Sequence, residues 1–129
     1  MRALRLILAV VALAAAPLAV SAQVLIGSYV AQIGREDLYN SNGQRLGEVW
    51  QIIRQDRANY HRFGIRHRGD EWDPFFADAN NRATLEQLVQ RSNPDPYTRR
   101  MILGGNVPVF VEIFGHGNRI TAVRVQVPG

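Results

Sequence analysis

The chain contains no cysteine and no lysine. Without cysteine there is no disulfide, no thiolate metal ligand and no cysteine-linked lipid, so a folded domain must be stabilised by its hydrophobic core. Without lysine, all 15 basic residues are arginine, against 11 Asp and Glu. The G-x-S-x-G nucleophile motif and the glycine-rich phosphate loops are also missing. No reaction and no cofactor is therefore indicated by a motif.

Residues 1–22 have the three parts of a cleavable secretory signal peptide. Arg2 and Arg5 give a basic start, residues 6–20 are apolar, and small residues precede Gln23. An apolar segment of this length falls short of the roughly 20 residues that span a bilayer as a helix. We expect cleavage after Ala22, no stable membrane anchor afterwards, and a periplasmic or secreted location.

The mature chain, residues 23–129, is long enough for a single domain and too short for two. Removing Arg2 and Arg5 leaves 13 Arg against 11 acidic residues, a net charge of +2. Nucleic-acid binding usually needs a stronger and clustered basic surface. The composition therefore argues against a nucleic-acid partner.

Hydrophobic periodicity predicts strands at both ends of the mature chain and helices between them. Alternating residues predict a strand at 24–33 and a hairpin at 107–127, and a 3.6-residue period predicts helices at 48–63 and 79–91. A short hairpin is expected at 36–46, a loop at 65–74, and either a strand or a helical turn at 99–103. The predicted fold is α+β, a small antiparallel sheet with two helices packed on one face. The alternative is a partly closed small β-barrel with a helical plug.

Asp56 is the most informative polar residue, because helical geometry places it within an apolar stripe that includes Ile52 and Tyr60. A buried carboxylate must be paired or hydrogen-bonded. In the structural interpretation, Asp56 pairs with Arg57 or accepts backbone N–H groups. In the functional one, it opens into a cleft as an acid or base. His61 is predicted on the opposite, solvent-facing side, and Phe63 within the stripe.

The loop that begins at His67 and ends at Asp73 carries an imidazole and several carboxylates, which are possible metal ligands. Its spacing matches neither the H-E-x-x-H motif nor a calcium loop. We therefore predict no metal site, and keep Asp56, His61 and His67 as weak catalytic candidates.

Phe110, Glu112 and Phe114 share one face of a predicted strand whose other face is also apolar. Either another layer covers this face, with Glu112 paired to Arg119 or Arg124, or the two aromatic rings form an exposed platform for a partner. Together with Arg57, these three residues are weak binding candidates.

These features favour a non-enzymatic binding or accessory module of the cell envelope, with a protein or small ligand as its unknown partner. The alternative is a small periplasmic hydrolase or metal-dependent enzyme that uses Asp56 or the His67–Asp73 loop. A third hypothesis, polyanion binding by the arginines of residues 54–68, is weakened by the carboxylates in the same region.

Overall fold

The computed structural model describes residues 23–129, so the predicted signal peptide lies outside the described residues. None of the helices in this described part is long and apolar enough to cross a membrane.

Three strands form one antiparallel sheet in the order β1-β2-β3. The strands are β1 Val24–Ile33, β2 Val107–His116 and β3 Arg119–Gln126. The sheet is open, so the predicted α+β class is confirmed and the barrel alternative is wrong. Both the first strand and the terminal hairpin lie where the alternating pattern predicts them.

One face of the sheet forms the floor of the hydrophobic core. Tyr29 is opposite Val111, and Val111 is opposite Val125, and all three side chains are buried. A β-bulge between Leu25 and Gly27 ends this alternation at the start of β1, because an inserted residue reverses the face of those before it. Leu25 is consequently exposed, although strict alternation along the strand would place it on the same side as Tyr29.

Three helices cover the inner face of the sheet: α1 Val49–Ala58, α2 Ala79–Ser92 and α3 Pro96–Gly104. Asp78 caps α2 by accepting from the backbone N–H groups of Asn80 and Asn81, as its position in the sequence predicts. The third helix contains residues 99–103, so the helical alternative for this stretch is confirmed and the strand alternative is wrong, but its start at Pro96 was not predicted. Pro96 begins it at a position that tolerates proline, and the Asp95 side chain accepts from Thr98 N–H at 2.9 Å.

The predicted hairpin at 36–46 is reduced to a single bridge between Tyr39 and Arg45. Its first arm is instead a 3₁₀ turn, Arg35–Leu38. The Asp37 carboxylate accepts from Gly34 N–H at 2.9 Å, and Asp37 N–H donates to the Gly34 carbonyl at 3.1 Å. These local bonds favour a turn over a strand.

The loop after α1 pairs with the outer edge of β1. Val30 N–H donates to the Glu71 side chain at 2.7 Å, and Glu71 N–H donates to the Val30 carbonyl at 2.8 Å. Gln32 N–H donates to Asp70 at 2.7 Å. The loop thereby covers a strand edge and brings Asp73 against α1.

Candidate functional site

A cluster of charged side chains lies buried between α1 and the loop that follows it. The Arg57 guanidinium is fully buried and donates to Asp56 Oδ2 at 2.7 Å through Nε. Its Nη1 donates to Asp73 Oδ1 and to the Glu71 carbonyl, both at 2.9 Å. Asp56 therefore pairs with Arg57, as the structural interpretation expects. One guanidinium serves two buried carboxylates.

His61 belongs to this buried cluster, because its Nε2 lies 2.7 Å from Asp73 Oδ1 and only 5% of its side chain is exposed. The prediction that His61 faces solvent is wrong, and so is the placement of Phe63 in the core stripe, since Phe63 is 46% exposed. The cause is a π-helical turn, Asn59–Phe63, that continues α1. Its wider turn changes the direction of each following side chain relative to an α-helix.

Asp73 accepts more hydrogen bonds than any other side chain of the cluster. Besides Arg57 and His61, the backbone N–H groups of Phe75 and Phe76 donate to its Oδ2 at 2.8 and 2.6 Å. Burial by itself would raise the pKa of Asp73, but these bonds reverse the effect and lower it below its ordinary value. Asp73 is therefore the ionised partner of Arg57.

Asp56 has the opposite behaviour. Burial raises its pKa from the ordinary 3.8 to about 7, although the adjacent Arg57 opposes the shift. Only Oδ2 of this carboxyl group has a hydrogen-bond partner, and Oδ1 is buried without one. With a single guanidinium between two carboxylates, Asp56 is the group that takes up a proton near neutral pH.

Two tyrosine rings enclose the guanidinium. The Arg57 carbon Cζ lies 4.0 Å from the centroid of the Tyr29 ring and 4.6 Å from that of Tyr60. Cation–π contacts of this kind stabilise a desolvated arginine. The aromatic rings and the carboxylates together hold Arg57 in one orientation.

His67 lies in a separate cluster, near the 3₁₀ turn. Its Nε2 is 2.7 Å from Glu36 Oε2, and its Nδ1 is 3.4 Å from Asp37 Oδ2 and 3.6 Å from Asp70 Oδ2. Burial disfavours the charged imidazole, yet the carboxylates outweigh this and raise the pKa of His67. Within residues 23–129, no three His, Asp or Glu side chains are arranged to hold a metal ion.

Phe110, Glu112 and Phe114 lie on the outer face of the sheet, opposite the helices, and are half-buried. Arg124 donates to Glu112 at 2.7 Å across the hairpin and lies 5.9 Å from the Phe114 ring centroid. Glu112 thus pairs with one of the two arginines expected for it. The two phenylalanines are neither fully covered nor fully exposed.

A groove lies on the solvent side of α1, and we call it the α1 groove. It consists of two hollows of about 660 and 420 Å³ that share Asn40, Ser41, Gln55 and Phe63. The larger hollow, which we call the apolar end, is lined by Tyr39, Phe63 and Ile65 and also by Arg35 and Glu36. Arg54, Arg62 and Arg82 line the smaller hollow, the cationic end. The catalytic candidates Asp56, His61 and His67 line neither hollow.

The sequence interpretation missed Asp73 as the centre of the buried cluster and Arg82 as a groove residue. Each has a usable signal. Asp73 precedes Pro74, and an aspartate at such a turn commonly accepts the N–H groups that follow. Arg82 is three residues before Leu85 and seven before Val89, so it lies on the buried stripe of α2.

No protein family, no curated protein and no solved structure matches the chain. Function must therefore be inferred from the geometry of these sites.

Proposed function

We propose that residues 23–129 form a non-enzymatic binding module of the cell envelope, periplasmic or secreted after signal cleavage, with the α1 groove as the ligand site. The observation that carries this proposal is the contrast between the groove and the buried cluster. The groove is open to solvent and has an apolar and a cationic end. Asp56, Arg57 and Asp73, in contrast, are buried and bonded to one another. Small-ligand sites are typically concave and largely apolar, with a few polar groups that orient the ligand.

The exposed apolar side chains support the same site. Phe63 and Ile65 are 46% and 37% exposed, and both line the apolar end. The π-helical turn directs the Phe63 side chain outward into the groove, so the groove depends on a local departure from α-helix geometry. Such turns are frequent at functional sites.

Blocking the groove tests this proposal. Ser41 is exposed and lines both hollows, so Ser41→Trp places an indole where they join. We expect the wild-type domain to increase the fluorescence of Nile red, a neutral apolar dye, and Ser41→Trp to abolish the increase. Ser28→Trp is the matched control, because Ser28 is an exposed serine on the outer sheet face, opposite Glu112.

If Ser28→Trp loses dye binding and Ser41→Trp keeps it, the dye binds on the sheet face of Phe110 and Phe114. That result would refute the α1 groove as the ligand site. Circular dichroism of both variants establishes that each substitution leaves the fold intact.

A periplasmic hydrolase or metal-dependent enzyme is the second candidate function, and the raised pKa of Asp56, about 7, favours it as an acid or base. This role requires the carboxyl group to open to solvent. Treatment of the native domain with a water-soluble carbodiimide and an amine tests it by peptide mass spectrometry. We expect Glu48, which is exposed, to be labelled and Asp56 to be protected. Comparable labelling of both residues would favour the enzyme.

A further inference from the structure

The cationic end of the α1 groove brings together more positive charge than the surrounding residues neutralise. Arg54 pairs with Glu86, which also lines this end. Within the described part of the chain, neither Arg62 nor Arg82 forms an ion pair. Three guanidinium groups thus face one carboxylate in a single hollow.

Arg82 is held in place before any ligand binds. It is 7% exposed, and its Nη1 donates to the carbonyls of Phe76 and Ala77 at 2.8 and 3.0 Å. Burial lowers the pKa of Arg82, the charges of Arg62 and Arg54 lower it further, and the carboxylate of Asp78 opposes them only in part. Like charges held close together are favourable only where an anion compensates them.

The opposite end of the groove has a different chemistry. Tyr39, Phe63 and Ile65 offer apolar surface there, and Phe63 also lines the cationic end. The two charged residues of this hollow, Arg35 and Glu36, have opposite signs, so it has no excess of positive charge. A ligand that satisfies both ends must combine an apolar chain with an anionic head. Arginine is suited to such a head, because its planar guanidinium bonds to carboxylate or phosphate through two N–H groups.

We propose that the α1 groove binds an anionic amphiphile, with its carboxylate or phosphate head at Arg54, Arg62 and Arg82 and its apolar chain along Tyr39, Phe63 and Ile65. This inference rests on the proposed ligand site and adds the ligand class. Glu86 remains paired with Arg54 at the edge of the head-group position.

Calorimetric titration with ligands of one chain length tests the proposal. Decanoate and decyl phosphate carry the two head groups, decanol is the neutral equivalent, and acetate and inorganic phosphate lack the chain. We expect decanoate or decyl phosphate to bind about tenfold or more tightly than decanol, and the short anions to bind far more weakly than both. The tighter of the two anionic ligands identifies the head group. Added salt should weaken the anionic ligands alone.

The double variant Arg54→Gln/Arg62→Gln removes two head-group contacts and leaves Arg82, with its backbone bonds, in place. We expect its affinity for decanoate and decyl phosphate to fall about tenfold or more and its affinity for Nile red and decanol to stay unchanged. Arg100→Gln/Arg119→Gln is the control of equal charge, because both residues are exposed and line neither hollow. Its affinities should stay within about twofold of wild type.

Two failures are distinguishable. If Nile red binds in the groove but decanoate and decyl phosphate bind no better than decanol, or resist the Arg54→Gln/Arg62→Gln change, the anionic head is refuted and the groove remains a ligand site. If Ser41→Trp leaves the binding of dye and amphiphiles unaltered, the groove itself is refuted.

Discussion

Replacing Arg57 with methionine is expected to lower the free energy of unfolding by about 3–5 kcal/mol, because two buried carboxylates lose their shared cation. Asp56 loses its hydrogen-bond donor, and Asp73 loses one of four. The Glu71 carbonyl also loses the Nη1 bond that ties the loop to α1. For a domain of this size, the loss corresponds to a fall in melting temperature of roughly 12–40 °C.

Arg54→Met is the matched control, since it makes the same change one turn earlier on the same helix. The Arg54 side chain is 43% exposed and pairs with Glu86 near the surface. Exposed ion pairs contribute about 0–1 kcal/mol, so this variant should stay close to wild type. Urea unfolding of both variants, followed by circular dichroism, gives the comparison. Equal losses of unfolding free energy in the two variants would contradict a special role for the buried ion pairs of Arg57.

The loss of unfolding free energy caused by Arg57→Met should depend on pH. Asp56 protonates readily in its buried site, and a protonated carboxyl group does not need a cation. The destabilisation should therefore be smaller at pH 5 than at pH 8. A loss that is the same at both pH values would indicate that Arg57 acts mainly through its contacts with Tyr29 and Tyr60.

The sequence predicted the sheet and the first two helices because their apolar residues recur with the periods of strands and helices. It failed where local polar bonds compete with that periodicity. Asp37 converts a predicted strand into a 3₁₀ turn, and Asp95 with Pro96 begins a helix ahead of residues 99–103, where the hydrophobic pattern left a strand and a helical turn open. Capping hydrogen bonds of this kind depend on which backbone N–H groups nearby lack a partner. The spacing of apolar residues does not predict these bonds.

The site was harder to predict than the fold for a geometric reason. Asp56 was correctly placed in the apolar stripe, because α-helix geometry holds as far as Ala58. Beyond Ala58, the π-helical turn changes the direction in which successive side chains point, so His61 points inward to Asp73 and Phe63 points outward to the groove. The groove itself joins residues from the 3₁₀ turn, α1 and α2, a long-range arrangement that no local pattern encodes.

The second large effect concerns pH. Asp56 has a pKa raised from 3.8 to about 7 in the folded state, so the folded protein holds this proton where the unfolded chain has released it. Stability from this group is complete below pH 3.8 and is lost as the pH rises through 7. The shift corresponds to a loss on the order of 4 kcal/mol, with a slope of at most about 1.4 kcal/mol per pH unit.

Other groups set the limits of this window. Asp37 and His67 also have raised pKa values and add to the decline, His67 only above about pH 6.5, where the unfolded imidazole begins to lose its proton. Glu36 and Asp73 have lowered pKa values, so their contribution is lost in acid as the pH falls through those values. We therefore expect maximal stability in mildly acid solution and a steady decline towards pH 8.

Asp56→Asn isolates the contribution of Asp56. Asparagine keeps an oxygen that can accept from Arg57 Nε and has no proton to lose, so the decline between pH 4.5 and 6 should flatten. The variant should gain stability relative to wild type as the pH rises from 5 to 8.

His67→Gln is the control, because it should flatten the curve only above about pH 6.5. Unfolding free energies measured by urea titration across this range test both variants. Parallel curves for wild type and Asp56→Asn would show that Asp56 stays ionised against Arg57 throughout.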